Sequence, residues 1–257
     1  MGLKICSIAS GSTGNCTYIS TQSTTILVDI GIPFTRAEKC LQLLGRGTET
    51  AVLVTHAHTD HISGVPQFAK RNGVYVYCHE KSAECLYRKG CNADSLVEFT
   101  DGDFLVGDIL VTPFKVSHDV PCVGYVFSHK GKQIGVVTDI GHVTRHILDI
   151  LRKCSLVLIE SNHDECMLEA NKNYSRWLKN RILSDSGHLS NSACAEACTA
   201  LAAAGVKQFI LAHLSRENNY PELALSAVGG ALAESGIEGV DLEAAPPDKM
   251  SGLFEII

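Results

Sequence analysis

The stretch Val54-Thr55-His56-Ala57-His58-Thr59-Asp60-His61 constrains this chain more than any other. It places four metal-competent side chains, His56, His58, Asp60 and His61, within six residues, directly after the apolar segment Ala51–Val54. An apolar core would have to bury unpaired imidazole and carboxylate groups, which is strongly unfavourable. Chance clustering of histidines in a polar loop does not account for this order at this spacing. In a sharp turn, His56 and His58 can face one metal while Asp60 and His61 face another. Mixed imidazole and carboxylate donors suit zinc, manganese or iron. The run therefore predicts half of a two-metal centre, delivered by the end of a strand.

Around it lies a well-packed globular chain, 45% hydrophobic and 19% charged over 257 residues. That length fits one large domain or two halves sharing a core. The net charge of −6 argues against broad, non-specific attraction to nucleic acid, while leaving room for a local basic patch. Eleven cysteines without a C-x-x-C pair make a poor disulfide framework. They read as small buried residues in a reducing cytoplasm, with Cys194 and Cys198 on one face of a helix. Neither an apolar leader nor an apolar run of about 18 residues is present. The expectation is a soluble, cytoplasmic protein.

Apolar patterning predicts strands over 3–9, 16–20, 25–29, 51–54, 74–78, 104–106, 109–116, 123–128, 133–138, 156–159, 208–212 and 253–256. Helices are predicted over 35–44, after His61 to about Arg71, and over 81–89, 144–152, 175–183, 191–204 and 221–234. His56, His118, Asp139, Glu160 and His213 all stand where an apolar strand gives out. Strand ends along one edge of a sheet bring distant residues together. Without a Pro/Gly/Ser linker or a repeat, residues 1–257 read as one domain. A strand-rich first half and an alternating second half suggest two sheets packed face to face, with helices outside.

With those residues collected, the chain resembles the metallo-β-lactamase superfamily, whose α/β (α+β) fold is a four-layer αβ/βα sandwich with metals at one rim. The resemblance implies that His56, His58 and His118 hold one divalent ion, that Asp60, His61 and His213 hold a second, and that Asp139 bridges them. Gly187-His188-Leu189-Ser190-Asn191 is similar to a segment of the tRNA 3′-processing endonucleases, and Glu160 resembles the glutamate that pairs with their extra histidine. The whole chain looks most like the YycJ/WalJ-like subfamily, through its S-x-S-G-S-T-G-N-C opening, Glu160 to Asp164, Gly187 to Asn191 and His213 to Asn219. Members of that subfamily are associated with 5′-to-3′ exonuclease activity on DNA. Too few residues separate Asp139 from His188 for a β-CASP insert.

Two ions bridged by Asp139 can share a water and lower its pKa to about 7. Asp60 can orient that nucleophile as well as ligate. Phosphodiester cleavage also expels an alkoxide, which needs a proton. His188 held by Glu160 is the candidate donor; its plainer role is to cap or pack beside the following helix. Ser10, Ser12 and Asn15 belong to a run of small residues that can form either an anion-binding nest or an ordinary turn. Asn162, His163 and Asn218 are further candidates for lining a substrate site. Lys172, Arg176, Lys179 and Arg181 form a basic run, either a solvated face or a track for phosphates. His79, His129, His142 and His146 are expected to be surface or structural. The leading expectation is a nuclease acting on DNA, or on RNA. The rivals are a thioester or lactone hydrolase and a catalytically quiet nucleic-acid-binding or protein-binding module.

Overall fold

A computed structural model describes residues 2–257. In chain order it contains β1 (Leu3–Ala9), β2 (Cys16–Ser20), β3 (Thr24–Val28), α1 (Phe34–Leu44), β4 (Glu49–Val54), α2 (Thr59–Ile62), α3 (Val65–Asn72), β5 (Tyr75–His79) and α4 (Glu80–Arg88). Then follow β6 (Leu96–Phe99), β7 (Phe104–Val106), β8 (Ile109–Val116), β9 (Cys122–His129), β10 (Lys132–Val137), α5 (Arg145–Leu151), β11 (Leu156–Glu160), α6 (Glu165–Ala170) and α7 (Arg176–Ile182). The remainder is α8 (Asn191–Ala203), β12 (Gln208–Ala212), α9 (Pro221–Glu234), β13 (Asp241–Ala244) and β14 (Phe254–Ile256).

The strands form two seven-stranded sheets, ordered β14-β1-β2-β3-β4-β5-β6 and β13-β12-β11-β10-β9-β8-β7. Successive side chains of a strand point to opposite faces, so strands covered on both sides read as unbroken apolar runs. In β11, Leu156 and Leu158 face the layer between the sheets, while Val157 and Ile159 face the outer helices. The central layer joins Leu3, Ile5, Ile26 and Leu53 of one sheet to Val111, Phe127, Ile134 and Ile210 of the other. One outer layer packs Ala37, Leu41, Phe68 and Leu86 on the first sheet, and the other packs Ile147, Leu151, Leu201 and Val228 on the second. Each fully buried aliphatic side chain contributes about 1.5–3 kcal/mol. The result is the four-layer αβ/βα sandwich expected from the sequence.

Strand direction gathers the site. Strands β10, β11 and β12 run parallel, with Val137 opposite Ile159 and Glu160 opposite Ala212. Strand β8 is antiparallel to β9, which is antiparallel to β10, so β8 ends at the same edge. Strands β3 and β4 are parallel in the other sheet and finish beside it. The loop after β4 is pinned across the gap between the sheets: Tyr125 Oη donates to the carbonyl of Val54 at 2.6 Å, and the amide of Val123 to that of Thr55 at 3.1 Å. Gly31 packs directly on this loop, since a Cβ there would lie 1.6 Å from the carbonyl oxygen of Asp60.

Four elements, α2, β6, α6 and β13, lie outside those predicted from the sequence. The two strands are edge strands carrying acidic residues and are only partly buried, so neither shows a clean apolar pattern. All eleven cysteines are free thiols, and Cys194 and Cys198 sit one turn apart with Sγ atoms 3.9 Å from each other. No helix among the described residues is long and apolar enough to cross a membrane.

Candidate metal centre

At the common edge, five histidines share one pattern. Each turns one ring nitrogen toward a neighbour that orients it. His56 Nδ1 lies 3.0 Å from Thr55 Oγ1, and His58 Nε2 lies 3.4 Å from Asp119 Oδ1. His61 Nδ1 donates to Asp29 Oδ2 at 2.7 Å, His118 Nδ1 to the carbonyl of Gly187 at 3.4 Å, and His213 Nδ1 to Glu160 Oε1 at 2.7 Å. Such partners fix tautomer and ring orientation and raise the basicity of a ligating imidazole.

The opposite nitrogens converge. His56, His58 and His118 offer ligand atoms mutually within 4.8 Å, and so do Asp60, His61 and His213. Asp139 lies between them, grouped with His56 and His61, its Oδ2 3.3 Å from His61 Nε2. His118 Nε2, His213 Nε2 and Asp139 Oδ2 are buried without any hydrogen-bond partner among the described residues. Buried polar atoms are rarely left so, and these three point into the space shared by the donors. The donor set therefore fits two divalent ions.

Electrostatics agree. Burial disfavours charge on His61, but Asp139 and Asp29 outweigh it and raise its pKa to about 9. His213, likewise opposed by burial, is lifted to about 10 by Asp139 and Glu160. His56 is pushed well down by burial and by the neighbouring His61. Burial would raise Glu160, yet His188 and His213 hold it at about 2. The pocket favours positive charge beside its carboxylates.

Backbone strain concentrates here too. Of the four non-glycine residues with positive φ among the described residues, Asp29 (59°), Asp139 (54°) and His213 (56°) belong to this edge, and Lys130 is a hairpin turn. A left-handed residue turns the chain sharply off its strand, at a cost of about 1–3 kcal/mol that the surrounding packing must offset.

His188 stands beside the ligand sets. Its Nδ1 donates to Glu160 Oε1 at 2.9 Å, so Nε2 is the nitrogen left to the cleft. Glu160, fully buried, accepts from four donors: His188, His213 and the backbone amides of Ile140 (2.9 Å) and Leu189 (3.1 Å). Asp139, Glu160, His188 and His213 also form a group that could hold a metal. The cleft, ≈ 230 Å³, is lined by His58, Asp60, His118, Asp139, His188 and His213 together with residues of the 174–187 segment.

The six residues considered for substrate divide. Ser12 and Asn162 line the cleft. Ser10 instead accepts the amide of His213 at 2.7 Å, behind the ligands, and Asn15 Nδ2 lies 2.9 Å from His61 Nε2, the nitrogen that faces Asp139 and Asp60. His163 is buried with neither ring nitrogen partnered, and Asn218 is buried against Ser215 and Asn171. The basic run is largely engaged: Arg176 pairs with Glu169, and Lys179 is buried against the carbonyl of the same residue. Only Arg181 of that run reaches the cleft, paired with Asp119.

Sequence patterning missed Asp29 and Asp119. Each carried a signal, Asp29 as a carboxylate ending a strand and Asp119 as the neighbour of His118. Asp119 Oδ1 also comes within 3.2 Å of His118 Nε2, without hydrogen-bonding geometry.

Comparison with known proteins accords with this geometry. Residues 24–214 match the family described as beta-lactamase superfamily domain. The chain is 36% identical to exodeoxyribonuclease YycJ of Bacillus anthracis over 242 residues, covering 92% of this chain and 91% of the relative. It is also 36% identical to exodeoxyribonuclease WalJ of Streptococcus pneumoniae over 267 aligned positions, covering 100% and 99%. The metallo-beta-lactamase fold protein YhfI from Bacillus subtilis shares the fold, with a TM-score of 0.71 at 14% identity over 97% of this chain and 99% of that one. The chain belongs to the beta-lactamase superfamily, as a metal-dependent hydrolase of that fold.

Proposed function

We propose that the chain is a binuclear metal-dependent phosphodiesterase that degrades DNA from an end in the 5′-to-3′ direction. The observation that carries this is His188, a histidine beyond the seven candidate ligands, held at Nδ1 by Glu160 and presented to the cleft. Expulsion of an alkoxide from phosphorus needs a proton, whereas a thiolate leaves without one. A carboxylate-held histidine next to the ligands therefore favours a phosphodiester over a thioester. The names of the two bacterial relatives support DNA as the strand.

His56, His58 and His118 would hold one ion, Asp60, His61 and His213 the other, with Asp139 between them. When bound, the ions supply a nucleophilic water at neutral pH and neutralise phosphate charge. Asp60 orients the nucleophile. Glu160 keeps His188 oriented; His188 is raised above the ordinary histidine range because Glu160 outweighs the effect of burial. His188 passes its proton from Nε2 to the leaving oxygen. Ser12 and Asn162 contact the strand in the cleft. Residues 1–257 act as one domain without a β-CASP insert, in the cytoplasm.

The test is hydrolysis of single-stranded DNA, duplex DNA, RNA and a thioester panel with zinc or manganese. Release of nucleotides from 5′-labelled linear DNA with no cutting of a closed circle is expected. Turnover of thioesters alone would assign the fold to small-molecule hydrolysis, and turnover of nothing would assign it to binding.

A further inference from the structure

Strand β5 runs parallel to β4, with Cys78 opposite Val54, so it delivers its last residue, His79, to the same edge as the metal loop. There His79 caps α4: its Nδ1 accepts from the amide of Lys81 at 3.2 Å. An accepting Nδ1 places the ring proton on Nε2. The residue is only 6% exposed, its ring set edge-on to Phe99 with centroids 6.0 Å apart. Capping thus accounts for one nitrogen and leaves Nε2 as a donor without a partner among the described residues. The ring lines a second groove, of ≈ 390 Å³, together with Lys81, Lys115 and Ser117. This groove adjoins the metal cleft, because His118 and Asp119 line both.

Cations are in excess in the groove. Lys81 has no acidic partner among the described residues, since Glu80 lines a different groove and Glu84 pairs with Arg88. Lys115 meets Asp101 at 3.1 Å, but those side chains are 69% and 75% exposed, and such a pair yields readily to another anion. The one carboxylate lining the groove, Asp119, is already paired with Arg181 and turned to His58 and His118. Two lysines on a rim are ordinary surface by themselves. A nearly buried N–H donor left over between them, in a chain of net charge −6, is not. We propose that this groove is a phosphate subsite beside the metal cleft. His79 Nε2 donates to an oxygen of a substrate phosphate, and Lys81 and Lys115 balance its charge. This rests on the nuclease assignment above. A strand cleaved at the ions carries a further phosphate, either the next diester or a terminal 5′-monoester, and both offer the same oxygens.

The test compares cleavage of linear DNA by the metal-loaded wild type with that by Lys81→Gln, Lys115→Gln and His79→Asn. Asparagine is a good helix cap, so the last variant keeps α4 while losing the Nε2 donor. All three should raise KM several-fold and leave kcat unchanged, because none touches the reacting atoms. For each lysine variant the ratio to the wild-type KM should shrink about threefold between about 50 and 200 mM KCl, as one lost phosphate contact requires. Lys81→Arg should keep the wild-type salt dependence. A wild type that prefers 5′-phosphorylated over 5′-hydroxyl ends, with the preference abolished in Lys81→Gln, assigns the subsite to the terminal monoester. Equal losses on both ends assign it to the next diester. An unchanged KM in Lys81→Gln and His79→Asn, or one raised equally at every salt concentration in the lysine variants, would overturn the subsite and leave the nuclease assignment standing. A wild type that cleaves no nucleic acid would remove the nuclease assignment, and the strand phosphate with it.

Discussion

The carboxylate of Asp29 reaches His61 Nδ1 at 2.7 Å from the end of a neighbouring parallel strand. The same side chain accepts from the amide of Thr55 at 2.9 Å and from its hydroxyl at 2.7 Å, so it orients both the first residue of the metal loop and the last. Removing a carboxylate that orients a ligating histidine typically weakens metal binding about 10–100-fold. Asp29→Ala is expected to do so for the ion assigned to Asp60, His61 and His213, as read by competition with a chelator. Asp29→Asn, which suits the left-handed backbone and keeps an acceptor, should lose less. Unchanged affinity in Asp29→Ala would reduce Asp29 to a fold-stabilising group.

The two ligand sets predict two ions per chain. Elemental analysis of metal-replete protein should find close to two, falling toward one in His118→Ala and in His213→Ala, each variant keeping the ion of the other set. A stoichiometry of one in the wild type would count against the bridging role of Asp139.

How far the site could be seen in advance depended on strand direction. His118, Asp139 and His213 were visible because apolar runs stop at them, and a polar residue at such a stop has few other reasons to be there. Asp29 ends a strand in the same way, yet only the parallel pairing of Val28 with Leu53 shows that it meets His61. Ser10 and Asn15 lie in the loop after β1, and their side chains turn inward to the amide of His213 and the ring of His61, a choice made by tertiary packing. The basic run from Lys172 to Arg181 reads in the sequence as either a solvated face or a track for phosphates, and the pairing of Arg176 with Glu169 is a property of the fold that the run itself does not reveal. Strands β6 and β13 stayed hidden because an edge strand exposed on one side needs little apolar patterning.

At the edge opposite the metals, Asp108 fastens the two sheets, accepting from Thr21 Oγ1 and Thr24 Oγ1 at 2.6 Å each. Partial burial alone would raise its pKa, but the hydroxyls of Thr21, Thr24 and Ser23 outweigh it and hold the group at about 2. A depressed folded-state pKa contributes stability that is fully present above the unfolded value of about 4 and is lost as pH falls toward the folded value. Asp108→Asn should therefore be less stable by about 1 kcal/mol at neutral pH, the partial exposure of the site screening the effect. In urea titrations the gap between the proteins should hold above pH 4 and close between about 4 and 2. A gap independent of pH over that window would show that shape, and not charge, is what Asp108 contributes.

The sharpest test of the chemistry separates His188 from the histidines around it. Loss of a general acid costs about 10²–10⁴-fold in rate, while loss of a ligand also releases metal. His188→Ala should keep both ions and the fold, lose activity in that range on an ordinary phosphodiester, and lose far less on a p-nitrophenyl ester, whose leaving group departs without a proton. Glu160→Gln should behave differently, because Glu160 Oε1 holds His213 as well as His188. It should combine a loss of proton donation with weaker retention of the ion at His213. If His188→Ala slows both substrates equally, or sheds an ion, then His188 ligates with Asp139, Glu160 and His213, a grouping the geometry also permits.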